Sequence, residues 1–569
     1  MIKIKYTLDG YKIRANGWVQ DSSDFDHLWW FCSAFDKESP NFEAILKKIN
    51  LYVTPDSLKE SLKNVMQSSE QKYNYFQIVG NHKGGTSRKT STVCNAIGQA
   101  AVNGQKRPFI GDWPADNFLR WALLLGFVQY LMDSDEYQIS KLGKTFVRET
   151  DAEKRNKIVS AALKNYPPVR RIVKLLKDNP NGLTKFEIGE KLGCVGEKGF
   201  TNIGQQLFEE MYFSADCNVK KNLMSNKEGS SDKYARQICS WLQKLKYVAV
   251  KKTTDKNKAP LNIYYLTAFG LDFARQIEIS KTVNVQFSML SMAASNKETI
   301  MKRRAMILYF AQEKQICSLK ELNEKLLQQS ITSSVYELED DVLSMYRCGI
   351  DIQIDSGIIR LKNYIDGLDI PDKIYMEKST IIEKIKNYLR PKLKHVNHDL
   401  LKLIDFSYGG KESYEWFENY TFKVFSCFCS NAQWLGGSSR PDVIAEYGKL
   451  GLIIDSKAYK EGFSADRSLK DEMIRYVNEA DQKPENIVSK WWEKFSPNVS
   501  HFAFQYVSTS FSKEIGRQLN DISEHSYSKE KGSAISAQNL LLLAEKALST
   551  PINPSIFEIN DEIQPGKHF

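Results

Sequence analysis

The residues best suited to chemistry lie between positions 440 and 458, where Arg440-Pro441-Asp442 is followed by VIAEYGKLGLII and then by Asp455-Ser456-Lys457. Positions 443–447 and 452–458 are β-branched, apolar runs joined by a glycine-flanked turn, the pattern of a β-hairpin. Side chains alternate along a strand, so Asp455 and Lys457 share a face and Asp442 enters from the neighbouring strand. Two carboxylates and one amine then converge. Hydrolysing a phosphodiester with Mg²⁺ needs hard oxygen ligands for the cation and a positive group beside the attacked phosphate, and this set supplies both. A buried apolar strand that ends in charged groups is wasteful unless those groups bind something. The plainer alternative is a hairpin that ends in a surface Asp and Lys.

The spacing P-D-x(12)-D-x-K matches the PD-(D/E)xK nuclease pattern. An upstream helix, KESYEWFENYTFKVF, puts Glu415 and Glu418 one turn apart. Either is a candidate for a further carboxylate on the metal side, although a solvated helix face is the favoured reading. Cys427 and Cys429, in SCFCS, are read as sharing one face of a strand. The chain has nine cysteines, with no CxxC pair and an odd total, so neither a disulfide framework nor a zinc site is supported. His395 and His398 are the one close histidine pair, in a lysine-dense segment, and a histidine metal site is not expected.

These residues need elements to hold them, and 569 residues at roughly 100–200 per domain allow about three or four domains. Positions 116–130 carry a helical apolar period closed by Gly126, and EYQISKLGKTF follows as strand, turn and helix. Between 167 and 200 the sequence gives a helix, a Pro-Asn-Gly stop, a Thr184 N-cap with Glu187 three residues on, and a second helix closed by Gly193. The helix SSDKYARQICSWLQKLKYV then leads to the strands VAVKKTT and NIYYLTAFG, as in the wing of a winged helix. A third unit between Lys302 and Lys362 repeats the plan. The expected organisation is α/β and multidomain: winged-helix-like modules (α+β) at 1–150, 151–290 and 296–372, the third best suited to protein docking. A linker helix broken at Pro391 follows at 373–395, and a C-terminal domain at 396–569.

Residues 380–569 carry 24 Lys+Arg against 25 Asp+Glu, a net of −1, so residues 1–379 carry a net of +11. That excess suits a polyanion partner, whose counterion release supplies affinity, although charge alone fits an ordinary solvated surface equally well. No run approaches 18 consecutive apolar residues and the start has no signal-peptide pattern, so a cytoplasmic location and no membrane association are expected.

Eight segments in one order carry a more specific signal: GWVQ (17–20), NFLRWALLLGF (117–127), YPPVRRI (166–172), LTKFEIGEKLG (183–193), EGSSDKYAR (228–236), LGGSSRPD (435–442), IIDSKAY (453–459) and DEMIRYV (471–477). Together they resemble the FokI-like type IIS restriction endonucleases of bacteria. The resemblance implies Mg²⁺-dependent double-strand cleavage at a fixed distance from a short asymmetric site. It also implies a nuclease domain of the PD-(D/E)xK kind, a central mixed β-sheet flanked by helices. Asp442 and Asp455 would be the metal ligands, and Lys457 would stand beside the scissile phosphate. Asp471 and Arg475, four apart on a helix, match the residues through which the family's nuclease domain forms a transient homodimer; an intrahelical pair is the alternative.

For recognition the resemblance points to Glu228, Lys233 and Arg236 as base contacts in a major groove, to Gln20, to the loop around Trp113, and to Arg88 or Lys89. A cognate DNA methyltransferase is implied as a partner. The departures lie in this set: Asp21 stands where the family has Asn, Pro114 and Ala115 where it has polar residues, and Ser225 and Lys227 where it has Asn and Trp. They leave the recognition sequence open between a GGATG-type site and another short asymmetric one. The competing classes are a winged-helix regulator with an inactive nuclease domain and a transposon- or repair-associated nuclease.

Overall fold

Between positions 167 and 193 the chain does what its local signals require. Pro167 and Pro168 open the helix Pro167–Asp178 (α1), where their missing N–H groups cost nothing. Thr184 closes a reciprocal capping box with Glu187 at the start of the short helix Lys185–Glu190 (α2), after the strand Leu183–Thr184 (β1). The helix Lys233–Lys244 (α3) follows, then the antiparallel strands Val248–Lys252 (β2) and Asn262–Leu266 (β3), with β3 central between β1 and β2.

The computed structural model describes all residues except 1, 8–16, 21, 23, 81–92, 198–203, 254–258, 293–297, 315, 330, 332, 373–380, 411–412, 438, 460–461, 486, 488, 565 and 569. It divides into two compact units, Met1–Cys194 with Gly199–Glu377, and Val195–Lys198 with Lys378–Phe569. No helix among the described residues is long and apolar enough to cross a membrane.

The first unit repeats one plan three times. A three-stranded antiparallel sheet orders Tyr73–Asn74, Glu136–Ile139 and Val128–Leu131. The sheet of β1, β3 and β2 is the second, and Ile352–Asp355, Ile358–Leu361 and Ile316–Ser318 form the third. Helices pack on each, and one continuous apolar core runs through all three. Trp121 of the first module stacks on Trp241 of α3 with centroids 4.9 Å apart and planes at 12°. The Trp241 indole N–H donates to the Ser22 carbonyl at 2.7 Å, and the Gln237 amide donates to the same oxygen.

The second unit is built on a six-stranded mixed sheet. Its order is Ser430–Trp434 (β4), Val443–Tyr447 (β5), Leu450–Lys457 (β6), His501–Ser508 (β7), Gly532–Ser536 (β8) and Glu562–Ile563 (β9). The first two pairings are antiparallel and the rest parallel. The helix Tyr414–Phe428 (α4) packs against β4, β5 and β6, and Arg467–Gln482 (α5) against β7. Every residue of β5 up to Glu446 and of β6 up to Ser456 is buried, as the apolar runs foretold.

Two sequence readings change. Cys427 lies inside α4 and Cys429 caps its end through a backbone N–H to the Phe425 carbonyl, so the pair is not on a strand. The apolar stripe of Phe417, Val424 and Phe425 carries the helix through a segment whose own composition favours strand. In the lysine-rich stretch read as a linker, the helix Ile381–Leu389 belongs to the second unit, with Leu389 buried and Lys386 bonded to Asp405 at 2.5 Å.

Candidate active site and candidate nucleic-acid interface

Gly436 and Gly437 take left-handed conformations, φ +51° and +91°, which let the chain double back so that the Leu435 N–H donates to the Asp442 carbonyl at 2.8 Å. Asp442 is thereby set at the mouth of β5, whose first residue, Val443, faces Ile454 of β6. The Asp442 carboxylate accepts the Ser456 backbone N–H at 2.7 Å, and the Lys457 ammonium lies 2.7 Å from the Asp455 carboxylate. Both carboxylates are buried, Asp442 at 9% and Asp455 at 4% exposure. The hairpin thus brings together the three residues that the sequence singled out.

A fourth charge joins them. Glu418 of α4 is buried, and its carboxylate accepts the Trp434 indole N–H at 3.3 Å. This corrects the reading of a solvated helix face for Glu418; Glu415 is only partly covered. The sequence carried a signal for it, since position 418 falls on the stripe of Thr421 and Phe425, both buried.

Burial pushes the Asp442 carboxyl well above the usual carboxylate range, and the neighbouring Asp455 and Glu418 push it further, against Lys457 and the Ser456 N–H. Burial also opposes the Lys457 charge, but Asp455, Asp442 and, from α5, Glu472 outweigh it and hold the ammonium above its ordinary range. Three buried carboxylates around one ammonium leave negative charge that a divalent cation would neutralise. The donors are all oxygen, which suits a hard cation. Among the described residues no three His, Cys, Asp or Glu side chains close into a cage, so a metal here would draw on water and substrate oxygens as well, as Mg²⁺ usually does.

Glu472 was not foreseen. It sits on the helix that carries Asp471 and Arg475 and accepts the Tyr476 hydroxyl at 2.8 Å. Asp471 lies 3.9 Å from Arg467, and Arg475 lies 3.7 Å from Glu472 and 3.8 Å from Glu479, so the two are not each other's ion-pair partners within the helix. Their side chains are 68% and 44% exposed, and they line a shallow depression of about 460 Å³ with Ile474, Asn478 and Ile487.

In the first unit, Glu228 lies just before the start of α3, and Lys233 and Arg236 lie in its first turn. Glu228 ends a π-helical turn, Leu223–Glu228, and Arg236 donates to the Gly229 carbonyl at 2.8 Å. Gln20 is buried; its backbone N–H donates to Asn117 and its amide lies 3.5 Å from the Tyr234 hydroxyl, so it links the first module to α3. Trp113 is 45% exposed on the first turn of the helix Asp112–Leu124, with the Arg120 guanidinium 5.7 Å from its ring. Arg88 and Lys89 lie outside the described residues.

Family models match along the chain: the FokI recognition domain, subdomain 1, over residues 14–149; its subdomain 2 over 155–281; the FokI D3 domain over 290–357; and the FokI cleavage domain over 379–564. The type II restriction enzyme FokI of Planomicrobium okeanokoites is 31% identical over 564 residues, 94% of this chain and 96% of that one. The type II restriction enzyme StsI of Streptococcus sanguinis is 28% identical over 589 residues, 96% and 95% of the two chains. The solved structure of the restriction endonuclease FokI superposes with a TM-score of 0.86 at 29% identity, covering 97% of this chain and all of that one. The structure of FokI bound to DNA gives 0.87 at the same identity and coverage.

Proposed function

Because the chain belongs to the FokI family of type II restriction enzymes, we propose that it is a type IIS endonuclease. In this reading its first unit binds a short asymmetric DNA site and its second unit cuts both strands at a fixed distance from it. The observation that carries the chemistry is the convergence of buried Asp442 and Asp455 on Lys457, 2.7 Å from Asp455, at the end of a mixed-sheet strand. Asp442 and Asp455 would hold Mg²⁺, and the chemistry the ion would supply there is Lewis-acid charge for the phosphate. Lys457, kept protonated by its carboxylate neighbours, presents an N–H donor to a phosphate oxygen and stabilises the negative charge that develops there. The Ser456 N–H holds one oxygen of the Asp442 carboxylate and leaves its other acceptor positions for a ligand. A cognate DNA methyltransferase protecting the same site in the cytoplasm completes the reading.

Plasmid DNA incubated with the protein and Mg²⁺ tests this. Discrete fragments support it, no cutting favours a regulator with an inactive nuclease domain, and a smear favours a nuclease targeted by other proteins. Sequencing the ends gives the site and the offset together.

Glu418 gives a narrower test. With Gln at 418 the hydrogen bond from Trp434 is kept while one negative charge beside Asp442 is lost. Metal affinity, read by calorimetry and by the Mg²⁺ concentration for half-maximal cutting, is expected to fall by about 10–100-fold. Unchanged affinity would make Glu418 a structural partner of Trp434 only.

At the DNA interface, Lys233→Ala and Arg236→Ala are each expected to relax discrimination at one base pair, at about 1–3 kcal/mol per lost contact. Uniform weakening on all sequences, with a shallower salt dependence, would show phosphate contacts instead.

A further inference from the structure

A lysine at the first position of a helix ordinarily extends into water, yet the side chain of Lys185 is 3% exposed. Taking an ammonium out of water is costly unless partners replace its hydration, and among the described residues both hydrogen-bond partners of Lys185 belong to Glu228. Its Nζ donates to the Glu228 carbonyl and lies 2.9 Å from the Glu228 carboxylate oxygen Oε1. Burial lowers the Lys185 pKa and Glu228 pulls it back up. The clamp joins α2 to the turn that leads into α3, across 43 residues of sequence.

The base of the clamp is braced by its neighbours. Thr184 caps α2 and its hydroxyl also donates to Gln205 at 2.6 Å, while Phe186 stacks on Phe208 at 5.4 Å. The Glu228 residue is therefore held at both its main-chain carbonyl and one carboxylate oxygen, from a support that is itself hydrogen-bonded and packed. A carboxylate has about four acceptor positions, so an oxygen engaged by Lys185 leaves others for a ligand. The adjoining ammonium also offsets the repulsion that a bare carboxylate meets near DNA phosphates.

We propose that Lys185 is a positioning residue for base readout: it fixes Glu228 so that the carboxylate presents an acceptor to one donor group on a base edge, of the cytosine N4 amino kind. This rests on the reading of Glu228 as a base contact. A fixed acceptor meets the acceptor atoms of guanine or thymine without being able to swing aside, so rigidity converts a contact into discrimination. Loss of the clamp lets Glu228 retreat from wrong bases and tolerate them.

The test compares kcat/KM of the full-length enzyme on its own site and on every single-base variant of it. Lys185→Met, which keeps the stem length and removes charge and donors, is expected to lower discrimination roughly tenfold at one base pair and leave the others unchanged. Glu228→Ala is expected to relax that same base pair, the double variant to be no worse than Glu228→Ala alone, and Lys185→Arg to recover part of the loss. Lys185→Gln gives the same readout if the methionine variant does not fold. Relaxation by Glu228→Ala without any from Lys185→Met or Lys185→Gln overturns the positioning role while Glu228 remains a reader. No relaxation by Glu228→Ala overturns both. A uniform fall in activity or in Tm with unchanged ratios shows that Lys185 serves stability alone.

Discussion

Asp455→Ala and Lys457→Ala are each expected to abolish cutting, by on the order of 10³-fold or more, and to leave specific DNA binding intact. The expectation follows from where the charges are. Asp442, Asp455 and Lys457 lie in the second unit, whereas the residues proposed to contact bases lie in the first. Asp455→Ala removes an oxygen donor and the partner that keeps Lys457 in place at 2.7 Å. It also relieves the repulsion between two buried carboxylates, so the fold has little reason to suffer. Lys457→Ala does the reverse: it leaves Asp442, Asp455 and Glu418 facing one another with no cation, and a lowered melting temperature should accompany the lost activity. Gel retardation on the cognate site and plasmid nicking, measured side by side, check the separation. A loss of affinity matching the loss of cutting would sink it. Ca²⁺ in place of Mg²⁺ should likewise permit binding without cutting.

The second large effect is expected at α5. If Asp471 and Arg475 pair across a two-fold axis, Asp471→Arg alone sets like charges face to face in the homodimer, and Arg475→Asp does the same with the opposite sign. Each should suppress double-strand cleavage roughly 10- to 100-fold. Mixing the two variants makes a heterodimer in which two arginines meet two aspartates, and cutting returns. Both side chains are accessible and neither is the other's partner within the helix, so the proposed intermolecular pair would not have to break an Asp471–Arg475 pair first. High salt should weaken the rescue, because exposed charges are screened within about 8–10 Å at physiological ionic strength. Two variants that are individually active, or a cleavage rate first-order in protein at fixed DNA, would contradict the dimer.

What could be read from the sequence was what is decided within a few residues. Strand alternation is local, so Asp455 and Lys457 could be placed on one face and Asp442 beside them; the Thr184–Glu187 capping box and the proline-opened helix were equally legible. Burial decided by distant packing was not. Lys185 looks like any surface lysine until a partner 43 residues away closes over it, and Glu472 enters the electrostatics of Lys457 only because α5 packs on β7. Cys427 and Cys429 were misread because β-prone composition gave way to a helix with an apolar stripe. Gln20 carries no local mark of being buried against Tyr234.

The stacked Trp121 and Trp241 have a consequence for engineering. The modules that carry them are neighbours in one core, fastened further by the two side-chain bonds to the Ser22 carbonyl. They are not interchangeable cassettes. A chimera that replaces one module with a relative's inherits half of a fitted joint, and a mismatch of one ring there leaves a void in the core. Altered specificity should therefore be sought by exchanging both modules as a block, or by changing side chains on an intact pair.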